Sequence, residues 1–313
     1  MIWHLPHLHS ISAQCSAPVT VLTKPRSLSD RLLAADPAIK RVLWLERNPG
    51  KHDGVLGIFR LAAMLRRLNF REAWLLHGSS RYALTLLLAG IPRTIGFGRG
   101  AQRWLLSEPV FLPPERTHGH PIRLADELLS AHGIQLIEKE PALVVDDRAA
   151  AAVSARYQQC LKPWVALGIG SSEHYKQWGA ANFASLVEKL RETVDARFFA
   201  VGGPADAALA ESIIKECGNH VEAITKLPID HTAALLKHCV LYIGNDTGAL
   251  NLAAAVGTHA VGLFGASPPL LHSPHIKAVQ PTGRAGMAGI TVDAVVQAAL
   301  PLLKNSLTAV QSN

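Results

Sequence analysis

The stretch Ile243-Gly244-Asn245-Asp246-Thr247-Gly248-Ala249-Leu250-Asn251-Leu252-Ala253-Ala254-Ala255 decides the fold. A short apolar run ends in small polar residues, and a run of small helix-formers begins at once. This is a buried strand turning into a helix. In an open parallel sheet the carboxyl ends of the strands line the ligand crevice. The free N–H groups at a helix start favour anions there, and a glycine at Gly248 lets a ligand approach the backbone. Asp246 suits sugar hydroxyls and Thr247 suits a phosphate. An ordinary capped turn, with Asp246 or Thr247 as N-cap, is the competing reading of the same residues.

Working outward, the same alternation recurs. Trp164 to Ile169, Arg197 to Val201, Val221 to Ile224, Val240 to Ile243 and Ala260 to Phe264 read as strands. Between them lie helical stretches at Asn182 to Thr193, Ala205 to Cys217, His231 to His238 (with Asp230 as cap) and Gly248 to Val256. A last helix is expected from Val292 to Lys304, followed by a frayed tail. The first half repeats the pattern less cleanly. Strands are expected at Val19 to Leu22, Arg41 to Leu45 and Ala73 to Leu76. The helix over 54–69 is expected to face a sheet through Val55, Ile58, Phe59, Ala62, Leu65 and Leu68. Ser79 is expected to cap the next helix, which Gly90 and Pro92 end. Residues 133–162, with Pro141 and the Asp146-Asp147 pair, read as the connection between two domains, 1–150 and 151–313. Strand–helix alternation at this spacing means parallel sheets covered on both faces.

Two further strand ends carry chemistry. Gly168-Ile169-Gly170-Ser171-Ser172-Glu173-His174-Tyr175-Lys176 places two hydroxyls and a lysine where a diphosphate could sit, though it lacks the P-loop spacing and the dinucleotide fingerprint. A plain surface loop is the alternative. Val201-Gly202-Gly203-Pro204-Ala205-Asp206 ends a strand in glycines, and Asp206 suits either a ribose or a first helical turn.

Composition narrows the field. The 313 residues are 49% apolar and 18% charged, enough for a buried core. No apolar run approaches the roughly 18 residues of a spanning helix, and the N-terminus lacks the pattern of a signal peptide. The four cysteines form no CxxC and read as reduced core thiols of a cytoplasmic protein. The pairs His4/His7, His118/His120 and His272/His275 lack the carboxylate or cysteine that would complete a metal site, so no metal is expected. The net charge of +7 is lopsided. Residues 1–160 hold twenty Lys and Arg against thirteen Asp and Glu, and residues 161–313 hold eleven against eleven. Arg60, Arg66, Arg67, Arg71, Arg81, Arg93, Arg99 and Arg103 face only Glu72 in that span, which fits either solvated helix faces or an anionic partner. No aromatic-interleaved basic motif points to nucleic acid.

Taken together, Gly-Ser-Ser-x-x-x-Lys-x-Trp at 170–178, Gly-Gly-Pro-x-Asp at 202–206, Asn-Asp-Thr-Gly at 245–248 and Leu263-Phe264-Gly265-Ala266-Ser267-Pro268-Pro269 resemble glycosyltransferase family 9, the ADP-heptose:lipopolysaccharide heptosyltransferases. Gly286 to Asp293 resembles the closing segment of that family, with Gly286 where cysteine is common. His77-Gly78-Ser79-Ser80-Arg81 and Arg93 to Phe97 resemble two short N-terminal segments more loosely. The resemblance implies an α/β protein of GT-B type, with two Rossmann-like domains whose parallel sheets face a central cleft. It implies an ADP-heptose or related donor, an anionic lipopolysaccharide core acceptor, inversion at the anomeric carbon, and no cofactor. It also implies a cytoplasmic protein with peripheral contact at the inner membrane. Carried over by position, Ser171, Ser172 and Lys176 hold the donor diphosphate. Asp206 lies near the donor ribose and Leu227 lines the adenine pocket. Asp246, Thr247 and Gly248 hold the diphosphate and sugar.

The sequence departs from the family twice. Asn251 stands where a histidine is usual, so the leaving phosphate meets a neutral donor. The family also opens with a strand and a Gly-Asp loop whose aspartate is the proposed base. Met1 to Ser16, with Ile2, Leu5, Leu8 and Ile11 at helical spacing, corresponds to the helix after that loop. No base is therefore assigned. A start placed too late, a non-catalytic nucleotide-sugar-binding relative and a rebuilt N-terminus all fit. Loss of a central strand would leave two unpaired sheet edges and a gap in the core.

Overall fold

Among the described residues the short apolar runs form ten strands, all paired in parallel. A computed structural model describes residues 1–113, 115, 120–171, 173–269 and 273–311, with the backbone alone for 306–311. The chain divides into two compact units near residue 139, with Arg31–Ala35 grouping with the second.

The second unit is built on one six-stranded sheet. Its strands are β5 (Trp164–Gly168), β6 (Arg197–Val201), β7 (Val221–Ile224), β8 (Leu241–Asn245), β9 (Ala260–Leu263) and β10 (Ile276–Val279). The first unit holds β1 (Val19–Thr23), β2 (Ile39–Trp44), β3 (Glu72–Leu75) and β4 (Arg93–Gly96). The second sheet runs in the order β10-β9-β8-β5-β6-β7. The chain starts in the middle at β5, builds outward through β6 and β7, then crosses back to β8 on the other side. The carboxyl ends of β5 and β8 therefore form the topological switch point. Both strands are fully buried. One face packs Val165, Leu167, Phe198 and Ile243 against Phe183, Leu190, Ile213 and Val295 from the covering helices. On the other, Trp164 and Phe199 meet Tyr157 edge to face.

The first unit has the same sandwich but not the same sheet. β1 pairs with β2 and β3 with β4, and the two pairs do not join. They nonetheless share both helix layers. Leu22 and Leu43 pack with Ala73 and Leu75 against the helices Gly54–Arg67 and Ser80–Ala89. Val19 packs with Trp74 and Leu76 against Ile11, Leu129 and Ile134 on the opposite side. The alternation along each strand is that of a single layer opened between β1 and β3. Among the described residues β1 pairs only with β2 and β3 only with β4.

Several expectations are corrected. The helix Gly54–Arg67 buries Gly57, Leu61, Ala62 and Leu65, while Val55 and Phe59 stay exposed. Its inner face is set by close approach, not by apolar count: a side chain at Gly57 would fall 2.2 Å from the His52 carbonyl carbon. Ser79 sits at the N-cap of Ser80–Ala89 but its side chain makes no capping bond. Asp230 lies inside the first turn of Ile229–His238, with Pro228 as N-cap. The last helix continues to Gln311 rather than fraying after Lys304. The strand β10 and the short helix Gln102–Leu105 escape the sequence reading. All four cysteines are free, but only Cys217 and Cys239 are core thiols, and Cys15 is exposed. Asp146 of the acidic pair caps Asp147–Tyr157, accepting from the Ala149 N–H at 2.9 Å.

Candidate functional site

At the switch point the two loops that leave β5 and β8 are sewn together by one side chain. Asn245 is fully buried. Its amide donates to the carbonyls of Ile169 at 2.9 Å and Gly170 at 3.2 Å, and its Oδ1 accepts from the Trp178 N–H at 3.2 Å. A buried amide so saturated fixes one loop against the other. Close strand approach makes this reach short. A side chain at Gly244 would lie 2.5 Å from the Gly168 Cα, and one at Gly168 would meet the Tyr242 hydroxyl. The Trp178 indole N–H donates to the Ile290 carbonyl at 2.8 Å, which docks the segment 286–290 on the same loop. Gly286 has φ +80°, a conformation a cysteine would hold only under strain.

The sequence-predicted residues fall around this seam. Lys176 is half-buried and pairs with Glu173 at 2.6 Å. The hydrogen bond to Glu173 first, and Asp246 as a weaker influence, raise the lysine pKa, so it stays charged. Ser171 closes its own loop, donating to the Glu173 carbonyl at 2.9 Å and accepting from the Glu173 N–H. Ser172 lies outside the described residues. Asp246 is half-buried, and the Ser267 hydroxyl donates to its Oδ2. Thr247 takes the extended N-cap position of Gly248–Ala255 with a side chain free of any capping bond. Gly248 is exposed, and a Cβ there would meet open space, so nothing among the described residues demands a glycine. Asn251 leaves its Oδ1 buried without a partner among the described residues.

Asp206 and Leu227 sit differently. Asp206 is almost buried and turns inward. Its Oδ2 accepts from the Gly203 N–H at 2.8 Å, and the Gln177 amide reaches its Oδ1 at 3.4 Å. This carboxylate ties the β6 turn to the β5 loop, the first-turn role that the sequence left open. Leu227 is half-buried in the turn after β7.

In the first unit each strand delivers one basic residue just past its carboxyl end: Lys24 after β1, Arg47 after β2, His77 after β3 and Arg99 after β4. Arg47 donates to the Tyr82 hydroxyl at 3.1 Å, and the His77 ring lies edge-on to Tyr82. Arg99 lies against Gly78, where a Cβ would come within 3.2 Å of its side chain. Partial desolvation, then the Arg47 and Lys24 charges, hold the His77 imidazole below the usual histidine range. Its Nδ1 accepts from the Ser79 N–H at 3.1 Å, so the neutral ring presents Nε2–H as a donor.

The arginines counted in the sequence sort themselves by partner. Arg93 is paired with Glu72 and Glu108, Arg66 with the carbonyls of Leu88 and Ala89, and Arg81 with those of His52 and Gly54. Sequence reasoning missed Asn245, Ser267, Lys24, Arg47 and His77 as functional groups. For the basic residues the signal was available, since each follows a strand end by one to three positions.

Among the described residues no group of three or more His, Cys, Asp or Glu is placed to hold a metal, and no helix is long and apolar enough to cross a membrane. His118 and His272 lie outside the described residues. His7, from another of the histidine pairs, is instead bonded to Asp126 at 2.8 Å.

The model of glycosyltransferase family 9 (heptosyltransferase) matches residues 58–284. Lipopolysaccharide heptosyltransferase 3 of Escherichia coli is 23% identical over 268 residues, 78% of this chain and 73% of that protein. A family 9 glycosyl transferase from Veillonella parvula superposes with a TM-score of 0.80 at 18% identity, covering 97% of this chain and 93% of that one. The ADP-heptose lipopolysaccharide heptosyltransferase II of E. coli superposes with a TM-score of 0.74 at 20% identity, covering 97% and 95%. The shared fold is α/β, of the GT-B type.

Proposed function

Because the chain belongs to glycosyltransferase family 9, the heptosyltransferases, we propose that it moves a heptose or related sugar from an ADP-sugar to an anionic lipopolysaccharide core, with inversion. The observation that carries this reading is the seam at β5 and β8. There Lys176, Asp246, Thr247 and the exposed start of Gly248–Ala255 are held as one surface by Asn245. A departing diphosphate needs positive charge and free N–H groups, and Lys176 with the helix start offers both. Ser171 and Ser172 add hydroxyls. Asp246, held by Ser267, suits the hydroxyls of the sugar. Leu227 flanks the adenine, and Asp206 shapes the ribose side by fixing the turn rather than by direct contact.

In an inverting transfer the acceptor oxygen bonds to the anomeric carbon as the bond to the diphosphate breaks. The acceptor proton must leave to a base. His77 does not serve, because Nδ1 is engaged and Nε2 carries the proton. The cations Lys24, Arg47 and Arg99, with His77 as a neutral donor, suit the phosphates or carboxylates of the acceptor. Such an acceptor is carried on lipid, which puts the enzyme at the cytoplasmic face of a membrane.

A nucleotide-sugar-binding relative without transfer is the second reading. It is favoured by the open layer between β1 and β3 and by neutral Asn251. Calorimetry with ADP, followed by transfer from ADP-heptose to a core oligosaccharide, separates the two. Binding with transfer supports the transferase. Binding without transfer to any core selects the second reading, and no binding sinks both.

A further inference from the structure

Among the described residues nothing covers the outward face of the helix Gly54–Arg67. Val55 is 70% exposed, Leu56 69% and Phe59 55%. At 100° per residue these three fall on one side with Arg60, Ala63, Arg66 and Arg67, opposite the buried Gly57, Leu61 and Leu65. The apolar residues occupy the first turns and the arginines follow. From Gly54 to Arg71 there are four arginines and no acid. The carboxylates flanking the helix in sequence are engaged: Asp53 accepts from the Asn48 and Gly50 N–H groups and pairs with Arg47, Glu46 pairs with Lys51, and Glu72 pairs with Arg93. The helix is also fixed in place, because Arg81 donates to the Gly54 and His52 carbonyls.

A second copy of the chain is a poor occupant. A two-fold contact sets a patch against itself, which would bring Arg60 and Arg67 against their own copies with no acid on the face to offset them. An anionic bilayer answers both halves of the face. Apolar side chains enter the headgroup–acyl boundary, and arginines remain among phosphates with their stems along the apolar surface.

We propose that the outward face of Gly54–Arg67 is a membrane-docking surface, taking anionic lipid headgroups with Arg60 and Arg67 and burying Val55, Leu56 and Phe59 in the interface. Its purpose rests on the lipid-linked acceptor reading, but its measurement does not. The helix start abuts Arg81, and Asp53 just before it pairs with Arg47, so docking would bring these two cations towards the headgroups.

The test is flotation of the full chain with vesicles of phosphatidylethanolamine and phosphatidylglycerol, against vesicles of phosphatidylcholine alone. Binding is expected to the anionic vesicles only and to weaken with salt. Val55→Ser/Leu56→Ser/Phe59→Ser should lower binding on the order of tenfold, with unchanged thermal unfolding and unchanged ADP affinity. Arg60→Glu/Arg67→Glu should abolish the preference for anionic lipid. No flotation, or equal flotation of the triple variant, overturns the proposal. So does a dimer that the triple variant splits by light scattering without any vesicle binding. Transfer to a lipid-free core oligosaccharide is measured in parallel. If it fails in every form while flotation still depends on Phe59 and its neighbours, the docking surface stands and the transferase reading falls.

Discussion

The two units solve the same architecture with different means. In the second, six parallel strands form one ladder, and β5 and β8 have no exposed residue. In the first, four strands form two pairs, and most of their residues are only half-buried. What the open layer loses in ladder bonds the first unit recovers in part through polar pins from its N-terminal helix, Leu5–Gln14. His7 meets Asp126 at 2.8 Å, and His9 meets Asp36 at 2.8 Å and Glu138 at 3.2 Å. The Ser10 hydroxyl accepts from the Ile137 N–H. The histidine pins are titratable, which the ladder and apolar packing of β5 and β8 are not. The second sheet is held by one continuous ladder and burial, whereas the first unit adds titratable side-chain bonds to its apolar clusters.

Hydrogen exchange should give the largest contrast. Amides of β5 and β8 should exchange only through global opening, while those of β1 and β3 open locally, slower against faster by about a thousandfold or more. Equal protection would break the comparison. Next comes Lys176→Ala, expected to lower turnover about 10²- to 10³-fold with the first unit unperturbed. Full activity would remove the β5 loop from the reaction. Asn245→Ala leaves two carbonyls and an N–H group without their buried partner. It should cost about 2 kcal/mol in urea unfolding and weaken ADP binding together with it. A loss of one without the other would show that the two loops are held independently.

The smallest effect is the pH response of the first unit. The hydrogen bond to Asp36 raises the His9 pKa above its usual 6.5. Burial opposes ionisation of Asp36, but the His9 and Ala38 bonds win and lower it. His9 therefore stabilises fully below about pH 6 and loses its contribution as pH rises through its raised value. Asp36 loses its contribution as pH falls through its lowered value. His4, His7, His52 and His77, whose pKa values are lowered, act with the opposite sign and favour the higher pH. In thermal scans between about pH 6 and about pH 9 the pH response of Asp36→Asn should therefore differ from that of the unmodified chain by about 1 kcal/mol, towards greater relative stability at high pH, and identical responses would remove the His9–Asp36 pair as a contributor.

Much of this was legible in the sequence where one segment carries its own explanation. The turn from Ile243 to Gly248 announces strand, crevice and helix in six residues, and the strands β5 to β9 follow from short apolar runs. What escaped depends on partners distant in sequence. Asn245 reads as one letter of a motif until Ile169, Gly170 and Trp178 are seen around it. Asp206 reads as either a ribose ligand or a first-turn residue, and its bonds to Gly203 and Gln177 are visible only in the fold. The helix Gly54–Arg67 misled because periodicity counts apolar residues, whereas the packing there is decided by a glycine. The strand β10 was hidden because Lys277 interrupts a four-residue run.

The seam at Asn245 also sets a rule for engineering. A loop grafted after β5 from another donor specificity brings its backbone carbonyls and N–H group at other positions than those this amide grips, and a loop grafted after β8 holds the seam only if it carries the same amide. Residues 169–178 and 244–248 therefore form a single exchangeable cassette. Chimeras that swap both together should keep their fold, while chimeras that swap one should lose the register between donor phosphate and sugar before they lose the fold.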